Sequence, residues 1–438
     1  MDDIFSGFRK TGLSGDCYIE TTAENRIEYE AGECRGYTVR EDRGFGLRLI
    51  DSQRRMGFFS SNDFTAVPEA FERAAAISRH GNEAGFDIPS YAQIGSWEDR
   101  IDKRVVAFHS GELTEIGDYI THRVRKEFPE VLINLTLSAG KQEKKLVNHR
   151  EESIGYTRTF FHIAIEVNRT RDNDILEIST DYGWGNRDIN IEDFLQELFF
   201  KLERSQKIVT VESGAYPVLF TPSGSMVLFY PLLHGLNGKN IVYRRSPLEG
   251  KLHQALFSPL LTLKEINHEM WSLGSAPFDD EGVETIPERK IIEEGKLESY
   301  FLDLWAAEKG GFPASSGGYR HSYRELPEPG FGSLMLECGL RDRETLIEEM
   351  ERGLIVDSVL GLGQSNVAGG HFSCNVQLGF LVEGGIVQGR VKDLMISGNV
   401  YQVLQGVREI SRDNRWIHGR MLLPCMLVEP VQVDSSLR

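Results

Sequence analysis

An apolar strand that turns at once into an almost wholly apolar helix constrains this chain more than any other feature. Residues 216–220, YPVLF, suit a buried strand, and Thr221-Pro222-Ser223-Gly224 supplies a cap and turn with proline where helices often begin. Residues 225–236, SMVLFYPLLHGL, then read as a helix with no polar face. Such a helix has no side to give to water, so other layers must enclose it. Pro231 removes a backbone donor and predicts a kink. The helix exits through His234-Gly235 into a flexible Gly/Asn turn, a place where a metalloenzyme can carry a ligand. Zinc takes roughly three protein ligands, with a carboxylate nearby to accept a proton from bound water. Phe229, Tyr230, Pro231, Leu232 and Leu233, just upstream, include no metal ligand. From the residues alone, His234 reads as a satisfied core or loop histidine.

Before this helix the chain alternates as antiparallel sheet does. Five runs, CYIETT, RIEYEAG, RGYTVRED, RGFGLRLID and RMGFFSS, fill residues 17–61 at hairpin spacing. Gly44 and Gly46 inside a strand pattern predict a bulge or a close backbone approach. Residues 67–80 form an amphipathic helix with Phe71, Ala74, Ala75 and Ile77 on one side, and residues 83–106 an irregular connection. A second helix follows over 110–128, with Leu113, Ile116, Ile120 and Val124 at helical spacing. Strands then span 131–140, 143–150, 155–170 and 175–184, and a third helix 193–204. In the longest strand Phe161, Ile163 and Ile165 face one way, His162 and Glu166 the other. No βαβ spacing repeats, so the class is α+β. We expect two domains: residues 1–206, an N-terminal antiparallel sheet with helices, and 207–438, a mostly antiparallel C-terminal β domain around the buried helix.

Beyond the helix, Arg244, Arg245 and Lys251 form a small basic patch that reads as a solvated loop. Residues 310–332 are rich in Gly, Pro and Ser and read as a linker or lid, with Tyr319, Arg320, His321 and Tyr323 near its tip. A helix over 343–352, a buried strand over 354–360, an antiparallel pair over 374–391, a helix over 400–412 and a closing strand over 422–430 complete the reading.

Composition narrows the function. A net charge of -17 and a pI near 5.2 oppose broad contact with nucleic acid or an anionic membrane. No apolar run approaches the roughly 20 residues of a membrane span, the N-terminal MDDIFSGFRK lacks a signal-peptide core, and five scattered cysteines suit reduced thiols. A cytoplasmic location is expected. No G-x-S-x-G elbow or phosphate-binding loop is present. Cys374 and His371, three apart along a strand, point to opposite faces and make no nucleophile–base pair. Asp279, Asp280 and Glu281, before Gly282, bring three carboxylates into one turn, which reads either as capping acids or as a site for a hard cation.

Together these motifs resemble the TldD/PmbA (TldE) family. Its catalytic TldD members carry H-E-x-x-x-H followed by Gly-Leu-x-Gly; here His234-Gly235-Leu236-Asn237-Gly238 preserves the second His and the tail, while Phe229 and Tyr230 stand at the first His and the Glu. The resemblance extends to the R-G-x-G-x-R run at 43–48, to Asp279-Asp280-Glu281-Gly282 with the strand-rich stretch after it, and to Gly363-Gln364, Asn366 and Gly370-His371-Phe372. Catalytic members take a third zinc ligand from a cysteine that falls between residues 410 and 418, where this chain has none and His418 is the one substitute. The resemblance therefore implies the PmbA/TldE branch: a non-catalytic subunit, itself without catalytic residues, metal or cofactor, beside a TldD-like partner that holds the zinc. Together they act on peptides or unfolded proteins, and His234, Gly235, residues 279–282, Gln364, Asn366, Gly370, His371 and Phe372 frame the cleft. The alternatives are a self-sufficient metal-dependent peptidase or hydrolase, working through His234, His371, His418 or residues 279–281, and a peptide-binding homodimer.

Overall fold

The computed structural model describes residues 1–92, 94, 97–171 and 174–435. After a short helix, α1 (Asp2–Thr11), the chain enters two long strands, β1 (Ser14–Glu30) and β2 (Glu33–Ile50). Ala31 and Gly32, at φ 51° and 75°, form the two-residue turn between them, the geometry that matches strand twist. A third strand, β3 (Met56–Ser61), precedes α2 (Val67–Ser78); then come α3 (Ser110–Glu127), β4 (Leu132–Asn148), β5 (Ser153–Arg171), β6 (Asp174–Trp184) and α4 (Ile191–Arg204). The six strands make one antiparallel sheet in the order β3-β2-β1-β4-β5-β6.

The expected segmentation was too fine. Five runs over 17–61 are three strands, and the two runs over 131–150 are the single strand β4. Ala23–Asn25, which reads as a turn, pairs with residues 39–41 on one side and 139–141 on the other. Two ladders fill its backbone hydrogen bonds, and that overrides turn propensity. Phe71 and Ala74 of α2 are buried as expected, whereas Ile77 is exposed. Phe161, Ile163 and Ile165 face the core as their alternation predicts. Positions 93, 95 and 96 of the irregular connection lie outside the described residues.

The second half is built on β7 (Gly214–Phe220), followed by α5 (Met226–Leu236) and α6 (Leu304–Gly310). A short α7 (Arg343–Glu348) leads into β8 (Arg352–Leu360), β9 (His371–Glu383), β10 (Leu394–Asn399), β11 (Val407–Ile417) and β12 (Met421–Ser435). Strands β12, β7, β8, β9 and β10 pair in that order and β10 pairs back onto β12, closing a five-stranded barrel. One apolar cluster joins Val218, Phe220, Leu354, Ile396 and Met426 of its strands to Val227, Phe229 and Leu232 of α5. The fold is thus mixed α+β, as expected, with the apolar helix enclosed.

Two helix ends differ from the pattern. The helix read over 400–412 is one turn, Val400–Val403. Residues 407–417 go instead into β11, because their apolar positions pair along β12. Likewise α7 stops at Glu348, and Arg352 already belongs to β8.

Helix α4 couples the two halves. Leu195, Leu198 and Leu202 share a core with Leu176 and Ile178 of the sheet and with Leu219, Ile355 and Phe380 of the barrel. On the same helix Lys201, 2% exposed, meets Asp357 of β8 at 2.8 Å, and Asp357 accepts a hydrogen bond from Thr221 Oγ1 at 2.8 Å. Removing one member strands a buried charge. Lys201→Met is expected to cost about 3–5 kcal/mol in urea unfolding, and adding Asp357→Leu to recover most of that loss.

Candidate functional site

Helix α5 begins where Thr221 Oγ1 accepts the Gly224 N–H at 3.1 Å, and it runs on through Pro231. Phe229 is 2% exposed and lies among Leu261, Leu263, Ile292, Leu336 and Leu404. Tyr230, 47% exposed, faces solvent, and His234 is half-buried. Residues five apart on a helix diverge by about 140°, so Phe229 and His234 leave opposite sides, while Tyr230 and His234, four apart, share one. The exit after His234 is not a flexible loop. Asn237 accepts hydrogen bonds from the N–H groups of Lys239 (3.0 Å) and Asn240 (3.4 Å) and starts another helical turn, Gly238–Val242.

The loop over 361–371 packs against α5. Within it Asn366 Oδ1 accepts the Gly369 N–H at 3.2 Å, and Gly370 takes φ 79°. Gly370 and Phe372 are buried; Gln364, Asn366 and His371 are exposed. Tyr401 is the wall between helix and loop: its ring lies against Gly370 and its hydroxyl against Gly235, so a Cβ at either glycine would strike it. Tyr401 escaped the sequence reading because a single tyrosine in a short helical turn carries no pattern.

The carboxylates of residues 279–281 are all taken by protein groups. Asp279 Oδ1 accepts the N–H groups of Glu281 and Val283 (both 3.0 Å), and Oδ2 those of Gly317 and Gly318 (2.8 and 2.9 Å). Asp280 pairs with Lys144 of β4 at 2.9 Å and accepts the Arg320 N–H at 2.9 Å. Glu281 accepts from Arg48 Nη1 of β2 and from the Leu304 N–H, both at 2.6 Å. Arg48 in turn grips Asp16 of β1 through Nε (3.0 Å) and Nη2 (2.5 Å). Gly282, at φ 81° against the Tyr91 ring, has room for no side chain. The turn is a clamp onto the N-terminal sheet, and its carboxylate oxygens are engaged by protein donors, as capping and ion-paired acids are. The R-G-x-G-x-R run serves the same contact. Gly44 and Gly46 admit Tyr323, which is 3% exposed, so the supposed lid over 310–332 is a packed segment.

Around Arg48 and Glu281 opens a cleft of about 400 Å³, lined also by Lys239, Tyr243, Asp303 and Trp305. Asp303 caps α6 by accepting the Ala306 N–H at 2.7 Å and faces Lys239 at 3.4 Å; Lys239 reaches Glu328 at 2.8 Å. Tyr243 and Trp305 lie ring to ring, 5.5 Å between centroids. Of the expected cleft residues only Glu281 lines this space, while Gly235 and Gly370 meet at Tyr401. Burial, and then the charge of Glu281, push the carboxyls of Asp279 and Asp303 up to about 7.

The donor set does not fit zinc. Among the described residues no three His, Cys, Asp or Glu side chains converge as metal ligands. His418 sits 3.3 Å from Asp181 on the sheet. Asp413 and Asn414, in the stretch where the third ligand is expected, line a separate cavity with Cys425, whose thiol burial pushes up to about 12.

Residues 213–435 match the PmbA/TldA metallopeptidase C-terminal domain, and residues 15–78 match domain 1 of the same metallopeptidases. The chain belongs to the PmbA/TldD metallopeptidase family. It is 29% identical to the metalloprotease PmbA of Escherichia coli O157:H7 over 94% of its own length and 91% of that protein. A PmbA homolog of Buchnera aphidicola is 28% identical over 48% of the chain, and the match spans 43% of that relative. The crystal structure of TldE from Thermococcus kodakarensis superposes with a TM-score of 0.89 at 21% identity, covering 99% of this chain and 100% of that one. PmbA/TldD membership thus agrees with the motifs at His234, residues 279–282 and the loop over 363–372.

The raised carboxyls give a test by pH. Between the ordinary value near 4 and the folded value near 7, the folded protein holds protons that the unfolded chain has released. Their stabilisation is present below about pH 4 and lost as pH rises through about 7. Asp303→Asn, which keeps the cap, is expected to flatten the fall in urea-unfolding stability from pH 5 to 7.5 relative to the unaltered chain.

Proposed function

We propose that this chain is the PmbA/TldE-type, non-catalytic subunit of a metallopeptidase that acts on peptides or unfolded proteins beside a TldD-like, zinc-bearing partner. One observation carries the reading. The positions where H-E-x-x-x-H places its first imidazole and its carboxylate hold Phe229, packed into the apolar core, and Tyr230, turned to solvent. A metal-bound water also needs an adjacent base, and the carboxylates of Asp280, Glu281 and Asp303 are tied up by Lys144, Arg48, Lys239 and backbone N–H groups. What the family framework leaves is a shaped surface: the α5 helix, the loop over 361–371, and a mixed-charge cleft with aromatic walls. Such a cleft offers cationic and anionic groups to peptide ends and flat rings to side chains.

Mixing experiments test the assignment. The purified chain is expected to leave an unfolded protein substrate intact. A TldD-like protein from the same source should cleave that substrate faster once the chain is added, by tenfold or more on the scale of about 1.4 kcal/mol per decade. Cleavage by the chain alone that His234→Ala abolishes would overturn the non-catalytic reading.

A further inference from the structure

The cleft around Arg48 and Glu281 takes its walls from both halves of the molecule, and its charges do not balance. Arg48 is shared between Asp16 and Glu281. Lys239 is shared between Asp303 at 3.4 Å and Glu328 at 2.8 Å, and Lys309 pairs with Glu83 at 2.6 Å. Asp16, Glu281, Asp303, Glu328 and Glu83 thus divide three cations among them. Asp303 shows the shortfall most directly. It is 3% exposed, and Oδ1 is committed to the Ala306 N–H. Oδ2 has Lys239 at 3.4 Å, beyond the usual length of a charge-assisted hydrogen bond. A carboxylate buried without a close cation is costly.

The walls suit a cation on an apolar stem. Phe86, Tyr243 and Trp305 line the cleft together with Leu326 and Pro327. Aromatic faces attract cations, and two of these rings already carry one. The Arg48 guanidinium lies 5.2 Å from the Phe86 centroid, and that of Arg245 lies 4.9 Å from the Tyr243 centroid. Trp305 is held in place by Nε1, which donates to the Glu83 carbonyl at 3.2 Å. We propose that this cleft binds a primary ammonium group of a polypeptide, a lysine side chain or a free N-terminus, at Asp303 and Glu328, with its carbon stem along Tyr243 and Trp305. The ammonium of Lys239 already stands between the same two carboxylates, so their spacing suits the group. The guest supplies the second positive charge that this pair of acids lacks. A peptide carboxylate would instead add a sixth negative charge.

Binding is linked to a proton. Burial, and then the charge of Glu281, hold the Asp303 proton up to about pH 7, against the opposing pull of Lys239. Arg48 and Asp16 lie behind Glu281, Glu328 behind Lys239, and the Lys309–Glu83 pair completes the charged wall. An arriving ammonium takes the place of the Asp303 proton. Affinity for a lysine side chain therefore rises with pH through 7, because lysine keeps its charge throughout. An N-terminal amine loses its own charge near pH 8, so its affinity passes through a maximum and falls again. The proposal rests on the reading of this cleft as a polypeptide surface, but not on the TldD-like partner.

Isothermal titration of the full-length chain, with no peptidase present, tests it. Three unstructured peptides with amidated C-termini serve as probes. One is N-acetylated and contains lysine, one is lysine-free with a free N-terminus, and one is lysine-free and N-acetylated. The first or the second is expected to bind at least about tenfold more tightly than the third, and which one does so identifies the source of the ammonium. Asp303→Asn should weaken that binding by about tenfold or more and abolish the release of a proton, read from the dependence of the heat on buffer. Tyr243→Ala, on exposed surface, should weaken it by roughly threefold. Should Asp303→Asn fail to fold, Glu328→Gln on the rim and the pH dependence of the unaltered chain decide. Equal binding of all three peptides, or none, would overturn the proposal and leave the subunit assignment standing. So would binding that tightens as pH falls, or that a folded Asp303→Asn chain retains in full.

Discussion

The guanidinium of Arg48 is the interaction on which the arrangement of this molecule depends. It is 1% exposed, holds Asp16 on the neighbouring strand with two hydrogen bonds, and holds Glu281 of the C-terminal half with a third. A guanidinium suits this task because its charge is permanent and its donors are fixed in a plane. Five carboxylates (Asp16, Asp279, Asp280, Glu281, Asp303) share this region with the cations Arg48, Lys144 and Lys239, which pair with them, and with Arg320, whose guanidinium is held by the Asp280 and Glu325 carbonyls. Burying so many charges is tolerable only because nearly every oxygen has a donor. Burial, and after it the negative charge of Glu281, accounts for the raised carboxyls of Asp279 and Asp303.

That network fixes the second half against the first and so creates the cleft. Asp303 both caps α6 and faces Lys239, which leaves the turn after α5; Glu281 receives the first N–H of α6. The apolar helix, the acidic turn and the N-terminal sheet are therefore one mechanical unit. A second tie, Lys201 to Asp357, works at the opposite side of the interface, through α4.

Within the family this has a plain chemical meaning. Helix α5 is a packing element here, with Phe229 filling apolar space. Its tail, His234 to Gly238, is kept for reasons of shape: Gly235 admits Tyr401, and Gly238 donates to the Phe301 carbonyl at 2.8 Å.

Local pattern alone determined the class of the fold, the burial of α5 and most helices, because alternation and helical periodicity are recorded within a few residues of each other. The glycines at 44 and 46 announced a close approach, and the sequence around His234 announced the family. Four things were decided only by tertiary structure. Whether residues 17–61 broke into five strands or three depended on ladders to β4, far along the chain. Whether 407–417 was helix or strand depended on β12. Tyr323 entered the core, and the lid closed into a packed segment, only because two glycines on β2 made room. The acidic turn at 279–281 had the composition of a cation site and became a clamp, since the groups that satisfy it, Arg48 and Lys144, lie 233 and 136 residues away in sequence. A carboxylate's role is set by the donors that reach it, and no local pattern carries that information.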